Sequence, residues 1–172
     1  NGILGNTIIP NNISVNNQYL DGRTAIADIN QDGQLDVIVS YCGNSNPSIL
    51  YSYTMVKGIP NLLTKNIIPG NTELNGCPSI SDVDGNNRPN VLINKHNFIH
   101  NYEYDGTASL KLIWSFMIKD ANAYSGMSTF DINANGDNEI IYRGDTLLYI
   151  IDGSTNPPTI IDSEVCYAKT LN

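Results

Sequence analysis

The nine residues Asp28-Ile29-Asn30-Gln31-Asp32-Gly33-Gln34-Leu35-Asp36 carry oxygen-bearing side chains at positions 1, 3, 5 and 9 and a glycine at position 6. Glycine enters the left-handed backbone region without a Cβ penalty, so the run can curl and turn Asp28, Asn30, Asp32 and Asp36 inward. Three carboxylates gathered that closely repel one another unless a cation sits among them. The set suits Ca2+, which takes roughly six to eight oxygens at flexible geometry, better than Mg2+, which keeps more of its water. Gln34 at position 7 is expected to add its backbone carbonyl.

Two further segments align with this one without gaps. In the later one, Asp131, Asn133, Asn135, Gly136, the backbone of Asp137, and Glu139 repeat the design with less formal charge and a longer final side chain. Weaker cation binding is expected there. The middle one offers Asp82, Asp84, Asn86 and Asn90, but its Gly85 stands two positions early and Arg88 occupies position 7. Asn87 at position 6 tolerates the left-handed conformation, so this loop is expected to bind most weakly or to stay empty. An EF-hand would need a bidentate Glu at position 12 and flanking helices; position 12 is Val39 in the first loop and Tyr142 in the third. Asp, Asn and Gly are also ordinary turn formers, yet three such loops in register favour a cation cage over three plain turns.

The flanking elements are short alternating or wholly apolar runs, such as Leu35–Tyr41, Ser48–Tyr53 and Leu147–Ile151, with no helical period sustained over three turns. An all-β chain is predicted. The leading aspartates 28, 82 and 131 lie 54 and 49 residues apart, close to the roughly 40 to 50 residues of a four-stranded propeller blade. Each repeat reads as strand, acidic loop, strand, turn, strand, turn, strand. The strands are expected at 24–28, 35–41, 48–57 and 62–68, then at 79–82, 90–94, 98–104 and 111–118, then at 127–131, 139–143, 146–151 and 159–167. Leu4–Pro10 echoes Leu63–Pro69, so the beginning reads as one orphan strand. The predicted fold is a partial β-propeller of about three four-stranded blades plus that strand: 1–20 the end of a preceding blade and a linker, then blades at 21–70, 71–120 and 121–172.

Composition limits the partners. The 172 residues are 41% apolar and 15% charged, which suits a packed core, and the net charge of −8 is the wrong sign for nucleic acid or an anionic membrane. No apolar run approaches the roughly 18 residues of a membrane-spanning helix, so membrane insertion is not expected. The first residue is Asn1 rather than Met, which reads as a processed chain or a piece of a longer one. Cys42, Cys77 and Cys166 are an odd number and exclude a self-contained disulfide framework, though Cys42 and Cys77 could pair. His96 and His100 read as surface residues, and Trp114 with the tyrosines as blade packing rather than sugar platforms. Asn12-Ile13-Ser14 fits a glycosylation acceptor that so Asn-rich a chain produces by chance.

The three acidic loops, each followed by an apolar strand, resemble FG-GAP or VCBS-type repeats, the calcium-loop blades of integrin-alpha-like β-propellers and of many bacterial secreted and surface proteins. The resemblance spans about residues 21 to 170. It implies Ca2+ in the loops, an extracellular or cell-surface location of bacterial style, and a non-catalytic adhesion module whose partner is a cell-surface protein or glycan. It also implies that the rest of the polypeptide, or another chain, closes the propeller. Ligands are expected on the face opposite the loops, at 11–22, 41–47, 69–78, 94–97, 120–126 and 143–145. The rival readings are the scaffold of a polysaccharide lyase or hydrolase, which would need a clustered acid and base, and a structural spacer.

Overall fold

The computed structural model describes residues 23–41, 48–68, 76–118 and 126–166. These residues contain no helix, and no element is long and apolar enough to cross a membrane as one. They form three four-stranded antiparallel sheets, each a simple meander in chain order. The first holds β1 (Arg23–Ala27), β2 (Asp36–Tyr41), β3 (Ser48–Val56) and β4 (Ile59–Ile68). The second holds β5 (Ser79–Ser81), β6 (Asn90–Lys95), β7 (Phe98–Tyr104) and β8 (Leu110–Met117). The third holds β9 (Met127–Phe130), β10 (Glu139–Arg143), β11 (Leu147–Asp152) and β12 (Thr159–Val165).

The strands fall close to where the alternation places them. The largest shift is at β4, which starts at Ile59 rather than Leu62. Lys57 and Gly58 both take positive φ, 53° and 76°, and so make the tight two-residue hairpin turn that matches strand twist and lets pairing begin at once. The register also repeats. A shift in pairing between the third and fourth strands occurs after Ser52, Asn101 and Ile150, the same place in all three repeats. The expected orphan strand, Cys42, the Asn12 acceptor and most of the linking stretches lie outside the described residues.

The sheets stack in chain order. One core, built from Ile38, Leu50 and Ile68 against Val91, Ile93, Tyr102 and Tyr104, joins the first to the second. Another, built from Leu92, Ile99 and Trp114 against Ile140, Tyr142, Tyr149 and Ile151, joins the second to the third. The burial patterns follow from this layering. Every residue of β6 is buried, because its sheet is covered on both faces, whereas β2 alternates buried and half-buried. Trp114 donates its indole N–H to the Gly153 carbonyl at 3.2 Å across the second junction, so it packs between sheets rather than facing a ligand. Cys77 and Cys166 are half-buried free thiols.

Stacking also places the first strands side by side, β1 beside β5 and β5 beside β9. That alignment gathers the three acidic loops, each between a first and a second strand, at one end of the molecule.

Candidate metal centre

Each loop is shaped by its first residue. The Asp28 carboxylate accepts the amide N–H groups of Asp32 at 3.0 Å and Gly33 at 2.8 Å. Asp131 accepts those of Asn135 at 3.1 Å and Gly136 at 3.0 Å. Asp82 accepts from Gly85 at 2.8 Å and Asn87 at 2.7 Å. The side chain at position 5 takes the amide of position 7, at 2.8 Å in all three: Gln34 to Asp32, Arg88 to Asn86, Asp137 to Asn135. The side chain at position 9 reaches back to the amide of position 2: Asp36 to Ile29 at 3.0 Å, Asn90 to Val83 at 2.9 Å, Glu139 to Ile132 at 2.8 Å.

This shared frame corrects the expectation that the second loop has a misplaced glycine. Positions 4 and 6 are left-handed in every loop: Gln31 (φ 58°) and Gly33 (85°), Gly85 (71°) and Asn87 (62°), Ala134 (58°) and Gly136 (99°). The turn needs two left-handed residues, and glycine relieves whichever one it occupies. Gly85 serves position 4, and Asn87 carries position 6 as its tolerance of that region allows.

The loops also clasp one another. The Gln31 amide group donates to the Asn87 carbonyl at 2.7 Å, and Asn138 donates both its backbone and side-chain N–H to the Asp82 carbonyl, each at 3.2 Å. Asp137 lies so close that a methyl on Gly85 would stand 2.5 Å from its carboxylate. A shallow cleft of about 390 Å³ lies between the first two loops, lined among others by Asp28, Asp82 and Arg88.

The donor chemistry differs between loops. Asp36 is completely buried; its Oδ2 accepts the Ile29 amide, while its Oδ1, across the strand pair from Thr54, makes no hydrogen bond of ordinary geometry. Burial raises its carboxyl above the ordinary 3.8, against the lowering pull of the Thr54 hydroxyl and of the Ile29 and Asn30 amides, and the Asp32 charge adds to the rise. A buried, unpaired carboxylate oxygen in a loop of hard donors is a group that a cation would satisfy. Asp84 repeats this in part: its Oδ1 is buried without a partner, and burial again raises its carboxyl, with Glu103 and Asp82 contributing. Other groups are turned to each other, Asn30 to Asp32 at 3.0 Å and Asn133 to Glu139 at 2.7 Å. Among the described residues, three carboxylate, imidazole or thiolate side chains nowhere converge as a metal-binding group.

One residue of the second loop's surroundings was not visible in the loop spacing. Glu103 on β7 faces Asn90 across the register, pairs with Arg88 at 2.7 Å and accepts from Asn86 at 2.6 Å. Fifteen residues separate it from Arg88, so only strand pairing reveals it.

His100 departs from the surface reading. It is half-buried on β7, ring-stacked on Phe98 with centroids 5.9 Å apart, and its Nδ1 is bonded to the Ser115 hydroxyl. Burial, with the nearby Lys95 charge, lowers its pKa to about 4. His96 is exposed in the β6–β7 turn at φ 52°, as the strand-and-turn reading places it. Set against protein-family models and against curated proteins, the chain matches none of either.

Proposed function

We propose that this chain is a calcium-stabilised segment of a β-propeller from a secreted or cell-surface protein, serving as a non-catalytic binding or adhesion module. The observation that carries the reading is the pair of left-handed positions shared by the three acidic loops, with Asp36 buried in the first and one of its oxygens without a hydrogen bond of ordinary geometry. Ca2+ is the occupant that chemistry favours, because the donors are all oxygen and the backbone carbonyl of Gln34 is available as a further one. In the first loop Asp28, Asn30, Asp32 and Asp36 would hold the ion, which would offset their mutual repulsion.

The propeller reading draws on the stacking of successive sheets with their first strands adjacent. The outward face of the first sheet leaves Ile26, Leu62 and Ile67 exposed, and the third sheet exposes Phe130. Inside the chain such faces are covered by the next repeat. Further blades, from the remainder of the polypeptide or another chain, would cover these in the same way.

The ligand is proposed to be a surface protein or glycan that meets the end opposite the loops, where His96 and Arg143 are exposed. The test of the whole reading is thermal melting in calcium and in chelator. A higher midpoint in calcium is expected, and equal midpoints would sink it.

A further inference from the structure

The second loop keeps the left-handed turn positions of the other two while its chemistry is altered at positions 7 and 9. Its ninth residue is the neutral Asn90, where Asp36 and Glu139 stand in the other loops. A carboxylate stands directly across the strand pair, at Glu103, where the first sheet has Thr54 and the third, one step beyond the Ile140–Ile151 pair, has Asp152. Position 7, Gln34 and Asp137 in the other loops, is Arg88.

Arg88 and Glu103 form one connected network with Asn86. The Arg88 guanidinium pairs with Glu103 Oε1 at 2.7 Å and donates through its other nitrogen to the Tyr104 carbonyl. Glu103 Oε2 accepts from the Asn86 amide at 2.6 Å, and Asn86 Oδ1 accepts the Arg88 N–H at 2.8 Å. Asn90 stands beside that ring, accepting from Val83 at 2.9 Å and donating to Asp84 at 3.3 Å. Among the described residues no basic side chain pairs with an acid of the first or third loop.

We infer that the Arg88–Glu103 pair does for the second loop what a bound cation does for the other two, so that this loop folds without metal. The inference rests on the calcium reading of the first and third loops. Its physical basis is charge placement. The guanidinium neutralises Glu103 and lines the same cleft as Asp82, and a fixed cation there repels Ca2+. At the pair Glu103 is 11% exposed and Arg88 42%, so the carboxylate is shielded from solvent while the guanidinium stays open to it.

The test uses the whole 172-residue chain, stripped with chelator and then titrated with CaCl2 in equilibrium dialysis, alongside thermal melts of Arg88→Gln, Glu103→Gln and the double variant. The expected results are two Ca2+ per chain and, for each single variant, a midpoint lowered by about 4 °C or more, equally in calcium and in chelator. The double variant should fall no further than the singles, because the two side chains act as one unit. Three Ca2+ per chain would overturn the inference. So would an unchanged midpoint in Arg88→Gln, or additive losses in the double variant. Binding of no Ca2+ at all would instead refute the calcium reading of the outer loops, while the double-variant melts would still decide whether the pair acts as a unit.

Discussion

Replacing Asp36 by Asn separates the two roles of its buried carboxylate. The side chain has no solvent exposure, its Oδ2 holds the Ile29 amide at 3.0 Å, and its Oδ1, across the strand pair from Thr54, makes no hydrogen bond of ordinary geometry. Asn keeps an oxygen for Ile29, so the loop frame survives, and it removes the negative charge that burial disfavours. In chelator the variant should therefore stay within about 1 kcal/mol of the parent, on the stabilised side, since an unmet buried group remains in both. The pH dependence has the matching sign. The folded carboxyl titrates above its ordinary value, so the folded state holds its proton longer than the unfolded one. Without metal, the parent loses this contribution as pH rises just above 3.8, and Asp36→Asn does not. Calcium reverses the comparison. An ion at 100 times its dissociation constant adds about 2.7 kcal/mol to the parent, or about 5 to 11 °C for a chain of this size. The variant should forfeit most of that gain. Thermal melts of both proteins in calcium and in chelator check it. A variant that keeps the full calcium shift, or that loses the same stability in both buffers, would refute the reasoning.

The first loop should dominate the calcium effect, so Asp28→Ala should reduce the difference between calcium and chelator midpoints more than Asp82→Ala, and the reverse order would locate the better site in the second loop. His100, with its pKa lowered to about 4, binds its proton more readily unfolded, so stability should be complete above 6.5 and fall as pH drops toward 4. The slope is at most about 1.4 kcal/mol per pH unit, less where solvent screens the ring, and urea midpoints across that range should flatten in His100→Gln. A methyl on Gly153 would stand 2.9 Å from the Val83 carbonyl and 3.2 Å from Trp114. Gly153→Ala should cost about 1 to 3 kcal/mol and shift the fluorescence of the single tryptophan, whereas Gly58→Ala, with open space around it but φ 76°, should cost about 1 kcal/mol with no spectral change. Sedimentation should find the chain self-associating through its uncovered sheet faces, and Ile26→Asp with Phe130→Asp should shift it toward 18.8 kDa; a parent that is already monomeric would count against the proposal of further blades.

The amino-acid sequence by itself determined the elements. Alternation of apolar residues and the Asp-Asn-Gly loops are local signals, the gapless repeat is found by setting such segments against one another along the chain, and β7 and β10 fall on the expected residues. The loop residues were equally legible, because their spacing along the chain is what curls the loop. Only the tertiary structure decided what surrounds them. Glu103 joins Asn86 and Arg88 because β6 and β7 pair in one register, and a shift of one residue would turn it to the other face of the sheet. His100 is half-buried and Trp114 is walled in by Gly153 because the second sheet lies between two others. The equivalence of Gly85 and Gln31 at position 4 is a fact of backbone dihedrals, and letters aligned in columns do not carry it. Local chemistry sets which residues bend and which extend. Stacking and register, which join residues far apart in sequence, set which charges meet and which faces remain uncovered.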